Sequence, residues 1–413
     1  MVPNQHTKLE LIQAQVTFIP DGWKLDNVGN ALAIRNNFRK PISQEVRSTM
    51  QGKYPYYGPT KIQDYIADYE QDGIYALIGE DGDHFLKYST MRQTQFISGK
   101  CTVNNHAHII ESSDECDSEW FYIFFKHRNI TNFLSRQGAG RFKLNKATLE
   151  KLPLLVPPIP EQRKIAKILG TWDKAISTTE RLIDNSKQQK KALMQQLLTG
   201  AHTQRKRLLD DSGKPFDGEW EEIIVSSFGK VVTGSTPNKD DDSNYGGNIS
   251  WATAEDFKRK YVTNTKVKLT ESGAIKARVV PKGSVLVTCI ASIGKNAIAS
   301  EALATNQQIN AVVINSHHSN EFFYYLIEFN TNKLLAWAGT TAVPILNKTS
   351  FEKIKLKAPC KVEQQKIASV LTNADSEIET LKQQLADLKQ EKKALMQQLL
   401  TGKRRVKVDE DAA

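Results

Sequence analysis

Apolar side chains recur at alternating spacings of four and three residues along two stretches of the chain. In the second stretch these positions are Ile367, Leu371, Ala374, Ile378, Leu381, Leu385, Leu388, Lys392, Leu395 and Leu399, and only Lys392 breaks the apolar seam. In the first they are Ile165, Leu169, Trp172, Ile176, Thr179, Ile183, Ser186, Lys190, Leu193 and Leu197, with a more polar middle. Heptads of this kind predict long helices, each packed on a partner helix. The punctuation agrees: Pro157, Pro158 and Pro160 precede one stretch and Pro359 the other, Glu161 and Glu363 fall in the first turns, and Thr-Gly closes both. Residues 161–199 taken as helix run about 58 Å at 1.5 Å per residue. A lone amphipathic helix is marginal in water, so each seam needs a partner. The other stretch of the same chain is the simplest one, and a helix of another chain is the alternative. Antiparallel full overlap places Lys392 opposite Trp172 and Lys190 opposite Ala374.

The two stretches are copies of one another. KKALMQQLLTG occurs at 190–200 and again at 392–402, and the same offset of 202 holds upstream without a gap. Glu161-Gln162 matches Glu363-Gln364, Ile165-Ala166 matches Ile367-Ala368, Asp173 matches Asp375, and Leu144-Asn145-Lys146 matches Leu346-Asn347-Lys348. Both copies open on a similar entry, PDGWKL and FDGEWEE, where the spacing has drifted. The chain therefore reads as a first block (1–155), a connector helix (156–202), a second block (203–357), a second connector helix (358–405) and a tail (406–413).

Inside the blocks the helical period is lost. Short β-branched runs split by Gly, Asn and Asp, such as DGIYALIGEDGDHF and KGSVLVTCIASIGKNAIAS, predict strands. Helices are expected near 117–130 and 319–338, where Trp120-Phe121 and Phe322-Phe323 match under the same offset and are assigned to the core. The expected class is α+β.

Composition narrows the function. With 39% apolar and 25% charged residues the chain suits a globular protein, and no apolar run approaches the ~18 residues that span a bilayer. The start, MVPNQHTKLELIQAQ, lacks a basic segment followed by an apolar one, so a cytoplasmic location is expected. Cys101, Cys116, Cys289 and Cys360 are far apart, without CxxC spacing, and are expected to be reduced. The formal charge of +10 is modest, and each block is nearly neutral: 18 basic against 17 acidic residues over 1–155, and 17 against 16 over 210–357. Cations nonetheless gather locally. Arg35, Arg39, Lys40, Arg47, Lys53 and Lys61 stand against Glu45 alone, and the segment 257–282 is similarly basic. One basic face per block fits a polyanion, and an ordinary solvated surface is the alternative.

Enzyme signatures are missing where they would have to lie. SIGKN at 292–296 lacks the first glycine and the hydroxyl residue of a phosphate loop, and the Pro-Pro pair sits in VPPIPEQ rather than in a methyltransferase motif. Cys101, His106, His108 and Cys116 match no standard zinc spacing. Asp256 with Lys258, and Asp83 with Lys87, are nearby acid–lysine pairs of the kind a nuclease uses, which also arise freely in a chain this charged. Residues suited to reading bases remain: Lys53, Tyr54, Tyr56, Tyr57 and Lys61; Arg92, Gln93 and Gln95; Lys258 and Arg259; and Asn306, Gln307, Gln308 and Asn310. Lys and Arg pair with guanine edges, Asn and Gln with adenine edges, and rings pack on sugars or thymine methyls. The alternative for the same residues is a Tyr-Pro turn packed on the core and an Asn/Gln turn bonded to its own backbone.

The tract LPLLVPPIPEQRKIAKIL with KKALMQQLLTG, mirrored by KAPCKVEQQKIASVL with KKALMQQLLTG, resembles the type I restriction-modification specificity subunits. KYPYYGPT, DGIYALIGEDG and VNNHAHII in the first block, and VTGSTP, ISWATAEDF, ASIGK and TNQQINAVV in the second, resemble that family's target-recognition domains. The resemblance implies two strand-rich recognition domains related by a pseudo-twofold axis and separated by two long antiparallel helices in a coiled coil. It implies a non-catalytic subunit that binds a bipartite double-stranded DNA target, one half-site per domain. It further implies two methyltransferase (M) subunits and motor-endonuclease (R) subunits as partners. S-adenosylmethionine, ATP and Mg2+ would belong to those partners, with no cofactor or metal in this chain. A stand-alone DNA enzyme or a pure protein scaffold are the rival readings.

Overall fold

The computed structural model describes residues 7–136, 141–199, 207–339 and 343–408. The junction expected at 202/203, Gly200 and the last residues of the tail lie outside them. The chain is α+β and divides into two compact units, one made of 1–179 with 385–413 and the other of 180–384. The division falls within both long helices rather than at the block boundaries, because each half-helix packs with the block beside it.

In the first unit a sheet runs in the order Ala33–Ile34, Ala107–Glu111, Gln71–Gly79, Thr94–Val103, Gln51–Tyr57, Ile62–Ile66. Neighbours are antiparallel except Gln51–Tyr57 beside Thr94–Val103, where Tyr56 is opposite Thr102. Alternation explains why the central strand is apolar on both faces. Ala76 and Ile78 enter one core with Trp120, Phe121, Phe124 and Phe125 of the helix Ser118–Phe125, whereas Tyr75 and Leu77 enter another with Ile97, Val103 and Ile109. The second unit repeats the plan. Its five-stranded sheet runs Gly229–Thr233, Ile309–Ile314, Val285–Thr288, Asn296–Ala299, Tyr261–Val262, and a four-stranded sheet adds Val267–Leu269, Tyr245–Ala252, Leu303–Thr305 and Val279–Val280. Val285 and Val287 face Phe322 and Phe323 of the helix Asn320–Phe329, while Leu286 faces the other way.

Each block is closed by a two-stranded antiparallel ribbon made from its two ends. Lys24–Asn27 pairs with Pro153–Val156, and Glu221–Ile224 pairs with Lys355–Ala358. The long helices follow, at Ile159–Leu198 and Lys361–Leu399. In the first unit Ile165 and Leu169 share a core with Leu399 and Leu400; in the second, Met194 and Leu197 share one with Ile367 and Leu371. The start of one helix thus lies beside the end of the other in both units, which is antiparallel packing. None of the twenty seam positions is exposed. The polar ones bond locally: Thr179 donates to the Ala175 carbonyl at 2.9 Å and Ser186 to Glu377 at 3.4 Å. Lys392 meets Asp173 at 2.5 Å and Lys190 meets Asp375 at 2.8 Å. Each carboxylate is one residue beyond the expected Trp172 and Ala374, because an ammonium on a four-carbon stem can leave the seam for a charge on its flank.

Candidate nucleic-acid interface

The first block gathers part of its candidate set at one end of the sheet. Lys53 and Tyr54 occupy the open start of Gln51–Tyr57, and Tyr54 meets Tyr69 with ring centroids 5.0 Å apart. Lys53 lies over Tyr54 at 5.2 Å and Lys100 over Tyr69 at 4.5 Å, a hydrogen bond to Tyr69 raising the Lys100 ammonium above its ordinary pKa. Tyr69 and neighbouring Tyr65 are exposed. The result is two cations on two accessible rings, chemistry suited to phosphates and sugars. Tyr69 and Lys100 were not singled out from sequence, since Tyr69 sits in the acidic run DYIADYEQDG and Lys100 lies 47 residues beyond Lys53.

Four of the other cations clustered in sequence are engaged by acids. Arg35 pairs with Glu111, Arg39 with Glu80, Lys40 with Glu70, and Arg47 with Asp64. Lys61 is exposed at the turn after Tyr57, and half-buried Gln95 joins that turn by donating to the Gly58 carbonyl at 2.8 Å. Burial raises the Tyr57 phenol. Arg92 is exposed but stands elsewhere, near Tyr122 and Lys126, where its charge is felt.

Two of the first block's candidates belong to the core. Tyr56 is 1% exposed, accepts from the Ile42 amide and donates to the Lys40 carbonyl, and carries the Arg47 guanidinium over its ring. The register shifts between Tyr56 and Tyr57, with the extra residue, Gln63, in the partner strand. Gln93 is also 1% exposed, and its amide donates to the His84 and Met91 carbonyls.

In the second block Lys258 and Arg259 are exposed just after the short turn Ala254–Asp256. Asn306 is buried and bonded to Gln308 through both its side-chain oxygen and nitrogen, and buried Asn310 accepts from Thr233. Asn306 thus shapes the turn and Asn310 sits within the strand Ile309–Ile314, and neither faces solvent. The side chains left accessible are exposed Gln307, which accepts from the Thr236 hydroxyl, and half-buried Gln308.

The members of the candidate metal set, and Asp256, are engaged elsewhere. His106 bonds Asp81, His108 bonds Asn36 and the Leu144 carbonyl, and burial pushes the Cys101 thiol up to about 12. No group of three or more His, Cys, Asp or Glu able to hold a metal occurs among the described residues. Asp256 caps its own turn, accepting from the Thr253 and Lys266 amides at 2.8 and 3.0 Å.

What fixes each block to its helix is a residue pair noticed in sequence only as a repeat. Gln162, 1% exposed, accepts from the Asp117 amide and donates to the Glu115 and Pro157 carbonyls. Gln364, equally buried, accepts from the Ser319 amide and donates to the Pro359 carbonyl. Beside them Glu161 pairs with Arg405 and accepts from the Trp23 indole, and Glu363 pairs with Arg207.

This twofold arrangement matches a known family. The type I restriction modification DNA specificity domain is matched twice, over residues 20–186 and 217–390, and the chain belongs to that family. A putative type I restriction enzyme specificity subunit from Haemophilus influenzae is 27% identical over 357 residues, which cover 84% of this chain and 86% of the relative. The MjaVIII specificity subunit of Methanocaldococcus jannaschii is 24% identical over 410 residues, covering 94% of each. The crystal structure of a type I restriction-modification S subunit from M. genitalium has a TM-score of 0.61 at 13% identity, covering 93% of this chain and 98% of that one. A second structure, described under complex assembly and conformational transition of the type I R-M system, gives 0.56 at 14% identity, covering 94% and 100%. The chain is therefore of the specificity-subunit class, which is not enzymatic. No helix among the described residues is long and apolar enough to cross a membrane.

Proposed function

We propose that this chain is the DNA reader of a type I restriction-modification complex, each block reading one half of a split double-stranded target. The observation that carries this is the double family match, one per block, each block tied to its helix by the same buried glutamine. Two methyltransferase subunits and motor-endonuclease subunits would dock on it, bringing S-adenosylmethionine, ATP and Mg2+ and working in the cytoplasm. The contacts to DNA are assigned to the accessible side chains: Lys53, Tyr54, Tyr57, Lys61, Tyr69, Arg92, Gln95 and Lys100 in the first block, and Lys258, Arg259, Gln307 and Gln308 in the second.

Mapping adenine methylation in cells that carry the complex tests the reading. Methylated adenines should fall in two short sequences separated by unspecified bases. A single uninterrupted target, or methylation unchanged when the chain is deleted, would exclude it. Lys53→Gln and Lys100→Gln should each flatten the plot of log affinity against log salt by about 0.9 without changing the target, as expected for one lost phosphate contact.

A further inference from the structure

The long helices form one ion pair twice. Asp173 with Lys392 in the first unit and Asp375 with Lys190 in the second are the same two residue types at the 202-residue offset, one from each helix. Two antiparallel copies of one sequence generate this duplication automatically. Each block reaches the pair through a side chain at the end of its aromatic helix, Lys126 in the first and its counterpart Glu328 in the second, and these carry opposite charges. Lys126 turns to the carboxylate, 3.0 Å from Asp173; Glu328 turns to the ammonium, 3.3 Å from Lys190.

We propose that the Asp–Lys pair on the helices is a polarity-neutral socket, and that residue 126 or 328 positions its block by choosing one member of it. A block with a cation takes the aspartate, and a block with an anion takes the lysine. The helices need not change when the block's charge does.

Burial makes the choice matter. The Lys126 side chain is 4% exposed, and those of Lys392 and Lys190 are 10% and 13% exposed. In that setting a charge without its partner is costly, while a matched one is roughly neutral. Burial depresses both Lys126 and Lys392, with Asp173 opposing it. The surroundings differ between the units without removing the choice. Tyr122 lies beneath Lys126, and the charge of Arg92 reaches that lysine. In the second unit Tyr325 donates to Asp375 at 2.6 Å, and Lys260 is held by Glu321 and Thr372. That Glu328 reaches Lys190 from the equivalent place shows that a glutamate is long enough.

The test ranks single substitutions by thermal unfolding of the full chain. In the first unit Asp173→Asn strands two cations and should lower Tm by about 5 °C or more, whereas Lys392→Met leaves the Lys126–Asp173 pair and should cost about 2 °C or less. In the second unit the order should invert, with Lys190→Met costing more than Asp375→Asn, and by a smaller margin, because the stranded Glu328 and Asp375 are 38% and 27% exposed and Asp375 keeps the Tyr325 hydroxyl. Lys126→Glu should fold, and in its background the first unit should adopt the second unit's order, Lys392→Met becoming the damaging change. The same order in both units, an unchanged order with Glu at 126, or a Lys126→Glu chain that does not fold would each overturn the proposal. A merely structural lysine would not exchange the ranks.

Discussion

Around Gln162 and Gln364 the two units make nearly the same bonds, an amide accepting from the first turn of the aromatic helix and donating to the carbonyl before the long helix. Along the aromatic helices themselves the likeness ends. Ile123 in the first unit is matched by Tyr325 in the second, which donates to Asp375, and Lys126 is matched by Glu328. Glu119, raised by burial and by Asp117, is matched by Glu321, which Tyr261 and Lys260 hold below the usual glutamate range despite burial. Neutral hydrogen bonds to main chain are kept, and the charges on the aromatic helices vary. Main-chain groups are the same whatever the sequence, so a glutamine that reads them fits any block, whereas a charged contact must be rebuilt with each one.

The largest effect should come from Arg207→Met, which leaves Glu363, 3% exposed, without its partner; about 3–5 kcal/mol of unfolding free energy should be lost in urea titration. Arg405→Met should cost less, because Arg405 is 41% exposed and Glu161 keeps the Trp23 indole. Equal losses would mean that the two attachments do not differ in this way. Next, Gln162→Ala and Gln364→Ala should each cost about 2–4 kcal/mol by leaving buried main-chain groups unbonded. A silent substitution at either position would mean that the two glutamines do not hold their blocks alike.

The smallest effect concerns Glu119 and Glu321, both half-buried, where the change should stay below about 1 kcal/mol. The raised pKa of Glu119 in the fold means that it weakens the fold at neutral pH, a cost that disappears as pH falls below its unfolded value. Glu321, being lowered, stabilises above its unfolded value and loses that contribution as pH falls through its folded one. Glu119→Gln should therefore be slightly stabilising at pH 7 and Glu321→Gln slightly destabilising, both differences closing toward pH 3 in a Tm series. Two shifts of the same sign would contradict the contrast.

The helices were legible because heptad spacing and an exact repeat mark their extent and offset, whereas their register followed only from assuming full overlap. The role of Lys190 and Lys392 was not, since a lysine on an apolar seam reads as a defect until the flanking Asp173 and Asp375 are placed beside it. Strand character in the blocks was legible, but Tyr56 and Tyr57 could not be sorted between core and surface, because this sheet carries apolar clusters on both faces. Gln93 and Asn306 have the composition of base readers, and only their bonds to nearby groups show otherwise. The pairing of Tyr54 with Tyr69 and Lys100 depends on two strands, Gln51–Tyr57 and Thr94–Val103, meeting the loop that carries Tyr69, which no local pattern contains.

The ribbon that closes each block has a bearing on how the chain folds. Its strands are about 130 residues apart in sequence, and closing so long a loop is slow compared with forming the hairpins inside it. The binding place for Gln162 includes Pro157, one residue beyond the ribbon, together with Glu115 and Asp117 from within the block. A connector helix can therefore anchor only on a block whose interior is already in place and whose ends have met. Pulse-labelled amide exchange should show protection at 71–79 and 94–103 before 24–27 and 153–156. A half-finished block would leave its helix unattached, so the seam between the helices is completed only after both blocks are.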